Sequence, residues 1–169
     1  MSLNPEKYKV EAAKVKPVVG RSEKIDLPKL GLEKVDAKID TGAYGCSMHC
    51  SLIDVVKDEN GTKMLKIVPL RRTDKAYDAE PFFFPYTDKK KVKNSSGKIE
   101  ERYLIKTTVR IFGRDVETEF SVTDRSKMKF PILLGRKFLQ KRFVVDVSVK
   151  DRSEKQKAKK KPSKQNNIK

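Results

Sequence analysis

Val35-Asp36-Ala37-Lys38-Ile39-Asp40-Thr41-Gly42-Ala43 alternates apolar and polar residues as far as Ile39, then breaks into an acid, a hydroxyl and a glycine. Alternation with period two marks a half-buried strand. Val35 to Ile39 is therefore read as a strand that delivers Asp40-Thr41-Gly42-Ala43 to its exposed end. A turn of that composition lets the carboxylate accept backbone and hydroxyl hydrogen bonds. An ordinary turn closing a strand has the same composition, so these residues gain meaning only from what surrounds them.

Outward from this stretch the pattern stays that of short strands punctuated by Gly, Pro, Asn and Asp. Met64 to Leu70 alternates after Asn60-Gly61, a hairpin-turn dipeptide. Arg102 to Val122 reads as two strands joined at Gly113-Arg114. Between these and the earlier strands lies a polar stretch, Lys89 to Glu101, with Ser95-Ser96-Gly97 at its tip. Pro131-Ile132-Leu133-Leu134 is a short apolar run of the kind that buries both faces. It is ended by Gly135, then one or two helical turns over Lys137 to Lys141 and a final strand over Phe143 to Val147. Few helical periods are visible, so a mainly β fold, a small closed barrel, is predicted.

Ile132-Leu133-Leu134-Gly135-Arg136 lies about 90 residues after Asp40. An apolar triplet followed by glycine suits a strand passing tightly behind a catalytic loop. Together with Asp40-Thr41-Gly42-Ala43 it resembles the signature pair of retropepsin-like aspartic proteases. More of the chain joins the resemblance: Arg21, Leu27-Pro28-Lys29-Leu30-Gly31, His49, Ser96-Gly97 with Glu101-Arg102, and Asp124-Arg125-Ser126-Lys127-Met128 leading into Phe130-Pro131. These residues, over about 18–147, are similar to a bacterial and archaeal family often labelled ATP-dependent zinc proteases. Its members resemble retropepsins and are associated with ATP-grasp glutamate ligases that modify ribosomal proteins. Where members carry Thr-Ser after the catalytic block, this chain has Tyr44-Gly45-Cys46-Ser47-Met48-His49.

The resemblance implies an acid-protease barrel, one lobe per chain, with a short helix after Leu134-Gly135-Arg136. It implies peptide hydrolysis by water held between two carboxylates. One Asp-Thr-Gly per chain then requires a homodimer pairing Asp40 with Asp40. In that arrangement Asp40, Thr41 and Gly42 are the catalytic residues, and Leu134, Gly135 and Arg136 support them. Ala43, Tyr44 and a flap carrying Ser95, Ser96 and Gly97 meet an extended peptide, acidic or glutamate-tailed. The alternative is an inactive peptide- or protein-binding module of the same fold. No cofactor is expected. The zinc label gains little from the residues: His-Glu-x-x-His is absent, and Cys46, His49 and Cys50 form a set only if all three point one way. No metal is assigned.

Charge bounds the rest. The 169 residues carry 40 Lys plus Arg against 23 Asp plus Glu, a formal +17. Residues 148–169 hold nine Lys or Arg against Asp151 and Glu154, so +7 of the +17 belongs to them. With few apolar residues they are expected to form a disordered basic tail that could contact RNA or another polyanion, and 1–16 a flexible arm, around a domain at 17–147. No run approaches the roughly 20 apolar residues of a membrane span. Two cysteines and no signal-like segment in Met1 to Lys16 lead to a cytoplasmic expectation.

Overall fold

The computed structural model describes residues 15–70, 80–94 and 96–160. The elements are β1 (Val18–Val19), β2 (Ser22–Leu27), β3 (Leu32–Ile39), β4 (Cys46–Lys57), β5 (Lys63–Pro69) and β6 (Phe82–Pro85), followed by β7 (Lys90–Lys93) and β8 (Ile99–Arg102). Then come β9 (Leu104–Ile111), β10 (Arg114–Thr123), β11 (Ile132–Leu134), α1 (Arg136–Leu139), β12 (Val144–Val145) and α2 (Arg152–Lys160). Six strands in the order β10-β9-β2-β3-β11-β4 close on themselves, because β4 pairs back onto β10. Closure satisfies every edge of this unit, which suits short strands that could not remain single. The mainly β barrel expected from the sequence is the fold.

The alternation read in the sequence sorts the two faces. Ala37, Ile39, Met48, Phe120, Ile132 and Leu134 are buried inside the barrel. β11 is only three residues long, yet it sits between β3, with which it is parallel, and β4, with which it is antiparallel. Ile132 and Leu134 fill the interior, while Leu133 faces outward and is half-buried, so β11 buries one face fully rather than two. β4 overshoots the barrel and pairs with β5, which pairs with β6. The β4–β5 turn is fixed by Asp58, whose carboxylate accepts the Asn60 and Thr62 N–H groups, with Gly61 at φ 79°. Phe82 and Phe84 pack on the core and Phe83 is exposed.

Several boundaries differ from the sequence reading, among them α1, which spans Arg136–Leu139 rather than Lys137 to Lys141. The β9–β10 turn is Phe112-Gly113, one residue earlier, with both φ positive as a type I′ hairpin turn requires. Phe112 is held there by its N–H donating to Ser153 Oγ and by its ring lying 6.3 Å from that of Phe143. The final strand shrinks to Val144–Val145, paired in parallel with Val18–Val19.

The largest difference is at the C-terminus, where residues 148–160 belong to the fold rather than to a disordered tail. The Arg21 N–H donates to the Val149 carbonyl and the Asp151 N–H to that of Ser22. α2 follows, with Ser153 buried at its start. Apolar content misjudged this segment because backbone polar groups hold it. Glu23, fully buried, accepts the N–H groups of Gly20, Arg152 and Ser153. Residues 1–14 and 161–169 lie outside the described residues. Among the described helices, none is long and apolar enough to cross a membrane.

Candidate active site

β3 ends at Ile39, and the Asp40 N–H continues the ladder by donating to the Leu134 carbonyl at 3.0 Å. The chain then turns sharply enough for Asp40 Oδ1 to accept the N–H groups of Gly42 (3.0 Å) and Ala43 (3.1 Å). That fixes one carboxylate oxygen. Oδ2 is 3.9 Å from Lys38 Nζ, and the side chain keeps 26% of its surface exposed. Thr41 and Gly42 are exposed beside it, and Tyr44 projects further, 63% exposed.

The second sequence element clamps this turn from behind. A Cβ on Gly135 would lie 2.1 Å from the Gly45 carbonyl oxygen and 2.8 Å from that of Ala43. Only glycine allows the two segments to approach so closely. The Arg136 N–H donates to the Ala43 carbonyl and the Lys137 N–H to that of Tyr44. The Arg136 side chain reaches over the turn, Nη1 donating to the carbonyls of Thr41 (3.2 Å) and Gly42 (2.7 Å), with the guanidinium 5.9 Å from the centre of the Tyr44 ring. Asp40, Thr41, Gly42, Ala43, Tyr44, Leu134, Gly135 and Arg136 thus form one constellation.

The candidate flap stands apart from it. β7 and β8 form their own two-stranded sheet. At its tip Asn94 Oδ1 accepts the Ser96 N–H and hydroxyl and the Lys98 N–H, and Gly97 adopts φ 82°. Ser95 lies outside the described residues. Among the described residues, no hydrogen bond joins Ser96 or Gly97 to the Asp40 turn. The base is anchored: Arg102 Nη1 donates to Ser47 Oγ (3.3 Å), which is 2.7 Å from Ser121 Oγ. Arg102 also grips Glu100 and, with Asn94, holds the Glu100 carboxyl below its ordinary range. The sequence reading gave Arg102 no role in the site and missed Lys38. Lys38 was legible, since alternation sends the residue two before Asp40 outward.

Cys46, His49 and Cys50 do not fit a three-ligand zinc site. Alternation along β4 points His49 away from the face that carries both cysteines, and four residues of strand separate those cysteines by about 13 Å. His49 Nδ1 accepts the Arg125 N–H at 2.8 Å and lies 3.6 Å from Asp124 Oδ1, so it is already engaged within the fold. Burial pushes both thiols up from their ordinary value. No cluster of three metal-ligating side chains occurs among the described residues.

Residues 18–156 match the family described as RimB-like, retropepsin-like aspartic endopeptidase RimB. The chain belongs to this RimB-like family. Two curated relatives, from Desulfotalea psychrophila and Shewanella halifaxensis, are each 30% identical and each named probable alpha-L-glutamate ligase. The alignments cover 78% of this chain but only 28% of either relative. The RimB-like chain therefore spans less than a third of the curated relatives it matches. A crystal structure of a Legionella pneumophila protein of unknown function shares the fold, with a TM-score of 0.60 at 21% identity over 82% of this chain and 99% of that one. The RimB-like constellation at Asp40 lies within the matched residues.

Proposed function

We propose that the chain is one lobe of a homodimeric aspartic endopeptidase. The observation that carries this reading is the Asp40 carboxylate, with one oxygen fixed by two backbone N–H groups and the other turned outward, on a turn clamped by Gly135 and Arg136. A single carboxylate cannot both deprotonate water and donate a proton to the scissile carbonyl. A second copy brought up along a two-fold axis supplies the other Asp40. Two carboxylates so placed share one proton, because both cannot be ionised at that separation.

The ionised partner takes a proton from water as the oxygen attacks the carbonyl carbon, and the protonated partner gives its proton to the carbonyl oxygen. The resulting gem-diol collapses, the C–N bond breaks, and the amine leaves with a proton from the pair. Thr41 bonds across the axis to stiffen both turns, Gly42 offers backbone to the substrate, and Ala43 and Tyr44 flank it. The β7–β8 hairpin, tipped by residues 95–97, is the flap. The substrate is an extended peptide, acidic or glutamate-tailed, laid down as an added strand. Ligase activity in the relatives' names fits a partnership with a glutamate ligase. The basic C-terminal segment adds a contact for RNA or another polyanion.

Those names also favour a second reading, in which the same fold binds peptide or protein without cutting it. Cleavage assays on the purified chain and its Asp40→Asn variant, with sedimentation to establish the dimer, separate the two. The endopeptidase reading expects metal-independent cleavage that the variant lacks. Cleavage that survives the substitution, or no cleavage by a stable dimer, overturns it.

A further inference from the structure

The β7–β8 hairpin sorts its residues onto two faces. Lys91 opposes Glu101 and Lys93 opposes Ile99, while Lys90 opposes Arg102 and Val92 opposes Glu100. Opposed residues project from the same side of a ladder, and successive residues alternate. One face therefore carries Lys91, Lys93, Ile99 and Glu101, all four of them exposed. Val92, Glu100 and Arg102 on the other face are half-buried, and Arg102 ties that side to Ser47 of the barrel.

The same alternation carries the exposed face on to Lys89, just before β7, and Tyr103, just after β8. Lys89 Nζ lies 5.1 Å from the centre of the Tyr103 ring. That ring meets Tyr86 edge-on, 6.1 Å between centres, and Lys63 Nζ lies 5.2 Å from the centre of the Tyr86 ring. Both rings are half-buried. The run Lys89-Lys90-Lys91 contains no aromatic residue, and the fold gives it two. Lys89, Lys91 and Lys93 stand about 7 Å apart along the strand, and Lys98 is exposed just past the tip. Among the described residues, no carboxylate lies within 4 Å of Lys63, Lys89, Lys91, Lys93 or Lys98. Asp88 accepts the Tyr86 hydroxyl, and Glu100 is held by Arg102 and Asn94. A row of cations of this kind attracts a polyanion, and adjoining aromatic rings favour one whose units carry a flat face. Glu101, the carboxylate on the exposed face, repels phosphate but accepts a hydrogen bond from a hydroxyl, which a ribose 2′-OH donates and a deoxyribose lacks.

We propose that this face of the hairpin binds single-stranded RNA, with Lys89, Lys91, Lys93 and Lys98 on successive phosphates and a base against the Tyr86–Tyr103 pair. Each lysine offers a compact charge on a flexible stem, which suits a backbone without fixed geometry. An acidic polypeptide supplies the charge but nothing for the rings to stack on. The inference does not depend on the endopeptidase reading, because it uses the side of the hairpin turned away from Ser47.

The test is anisotropy of fluorescein-labelled dodecauridylate with the full chain, repeated over a series of salt concentrations. Lys91→Gln with Lys93→Gln is expected to weaken binding about tenfold. The same pair should reduce the salt slope by about 1.4, since each phosphate contact on a single strand contributes about 0.7. Lys34→Gln with Lys141→Gln removes equal charge outside the hairpin and leaves the affinity in place. Tyr103→Leu is expected to weaken binding about fivefold, the low end for one stacked base, and Tyr103→Phe to retain it. Tyr86→Leu probes the same pair from the other ring, and melting curves confirm that each variant is folded. The deoxy form of the oligonucleotide and dodecaglutamate are both expected to bind more weakly. Equal losses from the two lysine pairs, binding untouched by either tyrosine-to-leucine change, or equal affinity for dodecaglutamate overturns the proposal. Equal affinity for the deoxy form overturns the assignment to RNA.

Discussion

Asp40 and Glu23 are two carboxylates solving the same problem to different ends. Each accepts backbone N–H groups from a segment that turns around it, and each has a glycine at the point of closest approach nearby. At Glu23 both oxygens are committed, Oε1 to Gly20 and Arg152 and Oε2 to Ser153, and no surface remains exposed. At Asp40 only Oδ1 is committed, and Oδ2 stays at the surface beside Lys38. The glycines match as well: a Cβ on Gly20 would meet the Val149 carbonyl oxygen at 2.4 Å, as one on Gly135 would meet that of Gly45 at 2.1 Å. A fully saturated carboxylate holds a fold together, whereas a half-saturated one is positioned and still free to react.

Substitutions can break that contrast. Asp40→Asn keeps the Oδ1 acceptor and removes the exchangeable charge, so peptide cleavage is expected to fall about 10²–10⁴-fold while the melting temperature barely moves. A large drop in stability would show Asp40 to be a second Glu23. Glu23→Ala should do the opposite, costing about 3 kcal/mol in denaturant unfolding, because three backbone donors lose their acceptor. Gly135→Ala is expected to cost about 2 kcal/mol by forcing the two loops apart, and to reduce cleavage with it. Ser153→Ala, which orphans the Phe112 N–H, should cost about 1 kcal/mol.

The smallest effect concerns the hairpin. Because Arg102 and Asn94 lower the Glu100 pKa from 4.5, the stabilisation they provide is complete above that value and is lost as pH falls toward the folded pKa. Faster amide exchange in β7–β8 below about pH 4.5, without exchange in the barrel, is the expected readout.

Much of this was written locally. The alternation over Val35 to Ile39, the break at Asp40-Thr41-Gly42 and the apolar triplet before Gly135 are short-range patterns, and the structure joins them as a closed barrel with the second element behind the first. Asn60-Gly61 likewise specified its turn through backbone freedom alone. Other features depend on partners far along the chain. Glu23 looks like any charged residue until Arg152 and Ser153, about 130 positions away, bring their N–H groups to it. For that reason the segment after 147 read as tail. Arg102 and Arg125 reached β4, at Ser47 and His49, only when β4 and β10 lay side by side. Sequence determined which residues could line a face, since side-chain direction follows from the strand period. Tertiary structure decided which buried charges find which partners, as Glu23 finds Arg152 and Ser153, since pairing depends on distances that only the closed barrel sets.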